Sequence, residues 1–200
     1  RFMRQALADA REYMVAALAC ARLEVSEVRS CGTPRRIIVQ LRAVAARQSD
    51  LVREVRGPAA RAAFDSEGRP TKAALGFARS AGAAVESLVT RPTPQGDYVY
   101  ATVTEVGRPA GAVLAELFPQ MIAAMSFPKS MRWGSHDFRF ARPIRWILAL
   151  FGEEVIAFDT HAVSSGRTTW GHRTLAPGAH EIPSAEEYLP RLRELGVMTD

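Results

Sequence analysis

Residues 127–150, F-P-K-S-M-R-W-G-S-H-D-F-R-F-A-R-P-I-R-W-I-L-A-L, interleave cations with aromatic rings. Lys129, Arg132, Arg139, Arg142 and Arg145 face a single acid, Asp137, and among them stand Phe127, Trp133, Phe138, Phe140 and Trp146. Cations neutralise phosphates, and flat rings or guanidinium planes stack on unpaired bases, so this mixture suits structured RNA. The same letters also suit a strand-turn-strand whose rings fill a core while its arginines are solvated. On composition alone that second reading is the commoner one.

A second candidate group is Gly166, Arg167, Thr168 and Thr169, followed by Gly171, His172 and Arg173. Glycine beside arginine and threonine lets backbone N–H groups approach a phosphate while hydroxyl and guanidinium close on it. A glycine-bent hairpin with exposed polar residues fits equally well. Thr33-Pro34-Arg35-Arg36 reads as charge at the surface end of a strand.

No catalytic residue emerges. His136, His161, His172 and His180 stand singly, and no H-E-x-x-H, P-loop, G-x-G-x-x-G or G-x-S-x-G is present. His136 beside Asp137 has the types of an acid-base pair, but such a loop pair is ordinarily just solvated. Cys20 and Cys31 are the only thiols, without CxxC spacing, so neither a zinc site nor a disulfide scaffold is expected, and no metal ligand is assigned.

The 200 residues carry a net charge of +5, with a pI near 9.8, which favours an anionic partner. All 26 basic residues but Lys72 and Lys129 are arginine. A composition biased toward Ala and Arg explains that skew as well as phosphate binding does, so the positions of the arginines matter more than their number. No apolar run approaches the roughly 18 residues of a membrane span, and no basic-then-apolar leader is visible. A cytoplasmic protein without membrane contact is expected.

The elements that would position these groups follow from periodicity. Ala6, Ala10, Met14, Leu18 and their neighbours recur at helical spacing over residues 1–23. Ile37, Ile38 and Val39 open a strand, residues 51–56 alternate toward Gly57-Pro58, and these two runs suit an antiparallel pair. A short helix is expected over 73–80, opened at Pro70-Thr71 and stopped by Gly82, another over 85–90, and a strand over 98–105. Residues 109–127 read as a helix that Pro119 should kink or break. Strands follow at 144–151 and 155–158, and a helix at 184–195 opens on a Ser184/Glu187 capping box and closes at Gly196. Helices and strands mix without alternating, so the expected class is α+β, with mixed or antiparallel sheets and packed helices, in a single region over 1–200. The loop at 91–96 could mark a weak seam, but it reads better as a surface loop within that one region.

The wording of the basic stretch, P-K-S-M-R-W and then F-x-R-P-I-R-W-I-L-A-L, resembles the beta subunit of the bacterial tetrameric glycyl-tRNA synthetase. T-P-R-R-I at 33–37, V-R-G-P at 55–58, D-S-E-G-R-P-T-K-A-A-L-G-F-A-R at 65–79 and S-G-R-T-T-W-G-H-R-T-L at 165–175 resemble further blocks of that family, in its order. The chain departs from it at Thr174, where an aromatic is usual, and at Gly32, where alanine is.

The resemblance implies the N-terminal part of a longer subunit, with a fold similar to the editing-type module of the phenylalanyl-tRNA synthetase beta chain. It implies a class II ligase that joins glycine to its tRNA through a glycyl-adenylate, in a heterotetramer of two alpha and two beta subunits. ATP and magnesium would belong to the alpha subunit. The beta subunit would supply tRNA(Gly) recognition and assembly, so this region alone would be inactive and hold no cofactor. Lys129, Arg132, Arg139, Arg142, Arg145, Arg167, His172 and Arg173 are then the expected RNA-binding residues. Two rivals stay open. One is an editing-type hydrolase of mischarged tRNA, for which glycine, the smallest amino acid, creates little need. The other is a purely structural interface domain. The block at 65–79 is expected to be a fixed turn into a helix.

Overall fold

The computed structural model describes residues 2–133, 138–160 and 163–199; His136, Asp137 and His161 lie outside them. In chain order the elements are α1 (Phe2–Cys20), β1 (Glu27–Thr33), β2 (Arg36–Arg42), β3 (Leu51–Ala59), α2 (Ala60–Ala63), α3 (Lys72–Ala81), β4 (Val89–Thr93), β5 (Gly96–Glu105) and α4 (Ala110–Ala124). Short strands follow: β6 (Met131–Arg132), β7 (Arg139–Phe140), β8 (Ile147–Leu148), β9 (Leu150–Phe151), β10 (Glu154–Val155), β11 (Asp159–Thr160), β12 (Val163–Gly166), β13 (Thr168–Trp170) and β14 (Ala179–Glu181), before α5 (Tyr188–Glu194). The class is α+β, with small sheets that are antiparallel among the described residues except where β12 runs parallel to β8.

The chain divides into two compact units, one made of Arg1–Gln48 with Arg108–Asp200 and the other of Ser49–Gly107. Residues 91–96 run through the β4–β5 turn inside the second unit, where Thr93 pairs with Gly96.

In the first unit, the four-residue spacing of Ala6, Ala10, Met14 and Leu18 becomes the buried stripe of α1, each residue at most 1% exposed. Met14 and Leu18 pack with Val113 and Leu114 of α4 and with Ala149 and Ile156. Ala6 and Ala10 pack with Met125, and against them lie Ile37, Val39, Phe127 and Phe140. Helix α4 continues through Pro119, so of the kink or break expected there the break does not occur. Helix α5 begins later than expected, at Tyr188. Ser184 Oγ reaches Glu187 Oε1 at 3.4 Å, so the two side chains engage each other and neither caps the helix. Pro190 in its first turn has no N–H to leave orphaned.

The second unit is the sheet β3–β5–β4 with α2 and α3 on one side. Two sequence expectations are corrected here. β2 pairs with β1 and β3 with β5, so the runs at 37–45 and 51–56 are not partners. Residues 85–90 hold only a 3-10 turn (Val85–Ser87) before β4, an edge strand that tolerates Pro92 because its outer N–H positions need no ladder partner. Helix α3 matches expectation at both ends: Thr71 Oγ accepts from Ala73 N–H, and Gly82 closes it at φ 66°.

Candidate nucleic-acid interface

The basic stretch folds as a short hairpin and the segment that follows it. β6 and β7 pair antiparallel, placing Met131 opposite Phe140 and Arg132 opposite Arg139. Lys129, Arg132, Arg139, Arg142 and Arg145 are all exposed.

The rings turn the other way. Phe127 meets Phe140 edge-on at 4.6 Å between centroids, and Phe138 stacks on Phe140 at 5.5 Å. The Trp133 indole N–H donates to the Phe140 carbonyl at 3.0 Å. Phe127 and Phe140 also lie against the cluster of Ala6, Ala10 and Met125. The stretch therefore joins features of both sequence readings: rings packed inward, and five cations outside. The chemistry left on its surface is phosphate neutralisation, with base stacking on these rings disfavoured by their packing.

Trp146 connects this stretch to two others. Its ring lies 4.8 Å from that of Trp170, and the Arg36 guanidinium sits 5.6 Å from its centre. Arg36 Nη2 also donates to the Trp170 carbonyl, while its Nε and Nη1 are buried with no hydrogen-bond partner among the described residues. The Arg36 expected as surface charge is thus a link between β2, the segment before β8, and β13. Neither its burial nor its ring partner could be read from T-P-R-R.

The residues of the 165–175 block separate by role. Arg167 donates to the carbonyl of Glu153 at 2.9 Å and to that of Pro183 at 3.3 Å, so its guanidinium ties loops together. Ile182 N–H returns a bond to the Arg167 carbonyl. Thr169 is fully buried beside Tyr188, whose hydroxyl titrates above the usual tyrosine range chiefly because it is buried. His172 Nδ1 lies 3.3 Å from the N–H groups of both Thr174 and Leu175 and accepts from them, which ties the turn. Arg173 is exposed in that turn.

The block at 65–79 forms the expected fixed turn. Asp65 Oδ1 accepts from the N–H groups of Glu67 and Arg69, and Oδ2 from Arg69 Nε at 2.9 Å. Gly68 supplies φ 77° between them. The Arg69 backbone N–H and then its guanidinium hold the Asp65 carboxyl below its ordinary range. Among the described residues no three His, Cys, Asp or Glu gather to hold a metal, and no helix is long and apolar enough to cross a membrane.

Comparison with known proteins adds a family. The family described as "Glycyl-tRNA synthetase beta subunit" matches residues 1–200. The "Glycine--tRNA ligase beta subunit" of Moorella thermoacetica is 50% identical over the whole of this chain, as is that of Desulforudis audaxviator. The protein of the same name from Myxococcus xanthus is 44% identical. The chain spans 29% of the length of the first two relatives and 28% of the third. Matched from end to end, the chain belongs to the glycyl-tRNA synthetase beta subunit family.

Proposed function

We propose that this chain serves a glycine–tRNA ligase by holding tRNA through the cations of residues 129–145. The complex joins glycine to tRNA(Gly) with ATP in the cytoplasm, and an alpha subunit supplies the class II adenylation site, with beta pairing into a heterotetramer. The chain's own part is electrostatic. Lys129, Arg132, Arg139, Arg142 and Arg145 neutralise phosphates, with Arg173 as an outlying contact, while Arg167 and His172 shape the turns nearby.

The observation that carries this reading is the inside-out split of the hairpin. Its rings are anchored in the α1 stripe, so its cations are held in register at the surface, with Arg132 opposite Arg139. Pre-positioned cations lose less side-chain freedom on meeting a phosphate than cations on an unanchored loop. Hydrogen–deuterium exchange on the complete enzyme tests it. Binding of tRNA(Gly) should slow exchange in residues 127–146. Protection elsewhere with none in this segment would contradict it.

A further inference from the structure

The second unit carries a surface that the basic hairpin does not account for. Opposed residues of an antiparallel sheet share a face, and alternation sends their neighbours to the other. Val99 and Ala101 of β5 are fully buried, Val99 packing with Ala63 of α2 and Ala74 of α3. The register then puts Tyr98, Tyr100, Arg56, Arg91, Glu54 and Thr102 together on the opposite face, where no helix of this unit packs.

On that open face the rings are matched with guanidinium groups. Arg56 lies 3.6 Å over the centre of the Tyr98 ring, and Arg91 lies 6.0 Å from that of Tyr100. The two tyrosines are two residues apart on β5, or about 7 Å along the strand. Arg56 also donates to Gln95 at 3.2 Å, and Arg91 pairs with Glu54. The Arg56 guanidinium covers the Tyr98 ring and the Arg91 guanidinium lies at the edge of Tyr100's reach, so the sheet offers outward a guanidinium plane stacked on one tyrosine and the ring of the next, with two cations against one acid.

We propose that this face is a stacking platform for unpaired RNA bases. Every base has a π face that stacks on a ring or a guanidinium plane, so a ladder of both binds single strands with little regard to sequence. The Thr102 hydroxyl beside the tyrosines offers a partner for a ribose hydroxyl, and Arg56 and Arg91 complement the phosphate charge. A protein partner fits less well. The exposed Val52 and Val89, at 61% and 50%, are separated in the register by Glu54 and Thr102 and form no continuous apolar centre.

The proposal shares with the preceding section the premise that the subunit handles RNA, but it rests on different residues and a different force. The test uses the complete enzyme, with its alpha subunit, and a thiouridine-bearing unstructured RNA of about twelve nucleotides, a length within the usual single-strand site size. Photocross-links should map to Tyr98 or Tyr100. Changing both to Leu should weaken binding of this RNA by about tenfold or more, with the salt slope unchanged because no cation is lost. Changing both to Phe should keep the binding, since the rings remain.

Cross-links that avoid both tyrosines would overturn the platform. So would a folded Leu variant that binds as the parent does, or a Phe variant as weak as the Leu variant. Loss of alpha-subunit association with RNA binding intact would assign the face to a protein. Because stacking leaves the salt slope alone and phosphate contacts set it, failure here and failure of the basic hairpin are read separately.

Discussion

Arg36 and Trp146 lie 5.6 Å apart, guanidinium to ring centre, and the same guanidinium donates to the carbonyl of Trp170. One side chain thereby connects three stretches that are far apart in sequence. Arg36→Met keeps an aliphatic cover on Trp146 but leaves the Trp170 carbonyl without its donor. The loss should be about 1–2 kcal/mol, the combined size of a cation–π contact and a charged hydrogen bond less the relief of two buried nitrogens. A urea titration of the chain should show a lower midpoint with an unchanged m-value. An unchanged midpoint would mean that Arg36 is surface charge after all.

The two glycines of the 165–175 block should behave oppositely. A Cβ on Gly171 would come 2.7 Å from the Ala176 carbonyl oxygen and 3.0 Å from the Leu195 Cβ, whereas one on Gly166 meets nothing within 4 Å. Gly171→Ala should cost about 1–3 kcal/mol through overpacking, and Gly166→Ala should stay within about 0.5 kcal/mol. Thermal melts of both variants check this, and equal effects would contradict the close packing of the turn on the end of α5.

These cases show where the sequence was readable. Thr71, Gly82 and the Ala6–Leu18 stripe act locally, through caps and a helical period, so residue types alone predicted them. Pairing is not local. β1, with Ser30, Cys31 and Gly32, carries a weak strand signal, and missing it left β2 free to be matched wrongly with β3. Pro119 predicts a kink or a break, yet α4 does not break there, because tertiary packing of Val113, Leu114 and Met121 outweighs one absent hydrogen bond. At the candidate site the cations were legible and their exposure followed. The inward turn of Phe127 and Phe140 depended on α1, more than a hundred residues earlier.

Asp65 gives a pH test of the turn at 65–69. Its carboxyl is lowered by the Arg69 N–H first and the Arg69 guanidinium second, with burial acting against them. A depressed folded value means that the turn's stabilisation is fully present above the ordinary value of 3.8 and is lost as pH falls through the folded one. An NMR titration should find the Asp65 carboxyl and the Arg69 amide changing together below pH 3.8. A carboxyl titrating at the ordinary value, with the Arg69 amide unmoved, would contradict the bonded turn.

The most direct test of the central claim is the salt dependence of tRNA(Gly) binding by the complete enzyme carrying Lys129→Gln, Arg132→Gln and Arg139→Gln together. Each phosphate contact removed should lower the slope of log K against log salt by roughly 0.7 to 0.9, so the triple variant should bind more weakly at low salt and lose about 2 to 3 from that slope. A folded, normally stable variant with the parent affinity at every salt concentration would show that these cations do not touch the RNA.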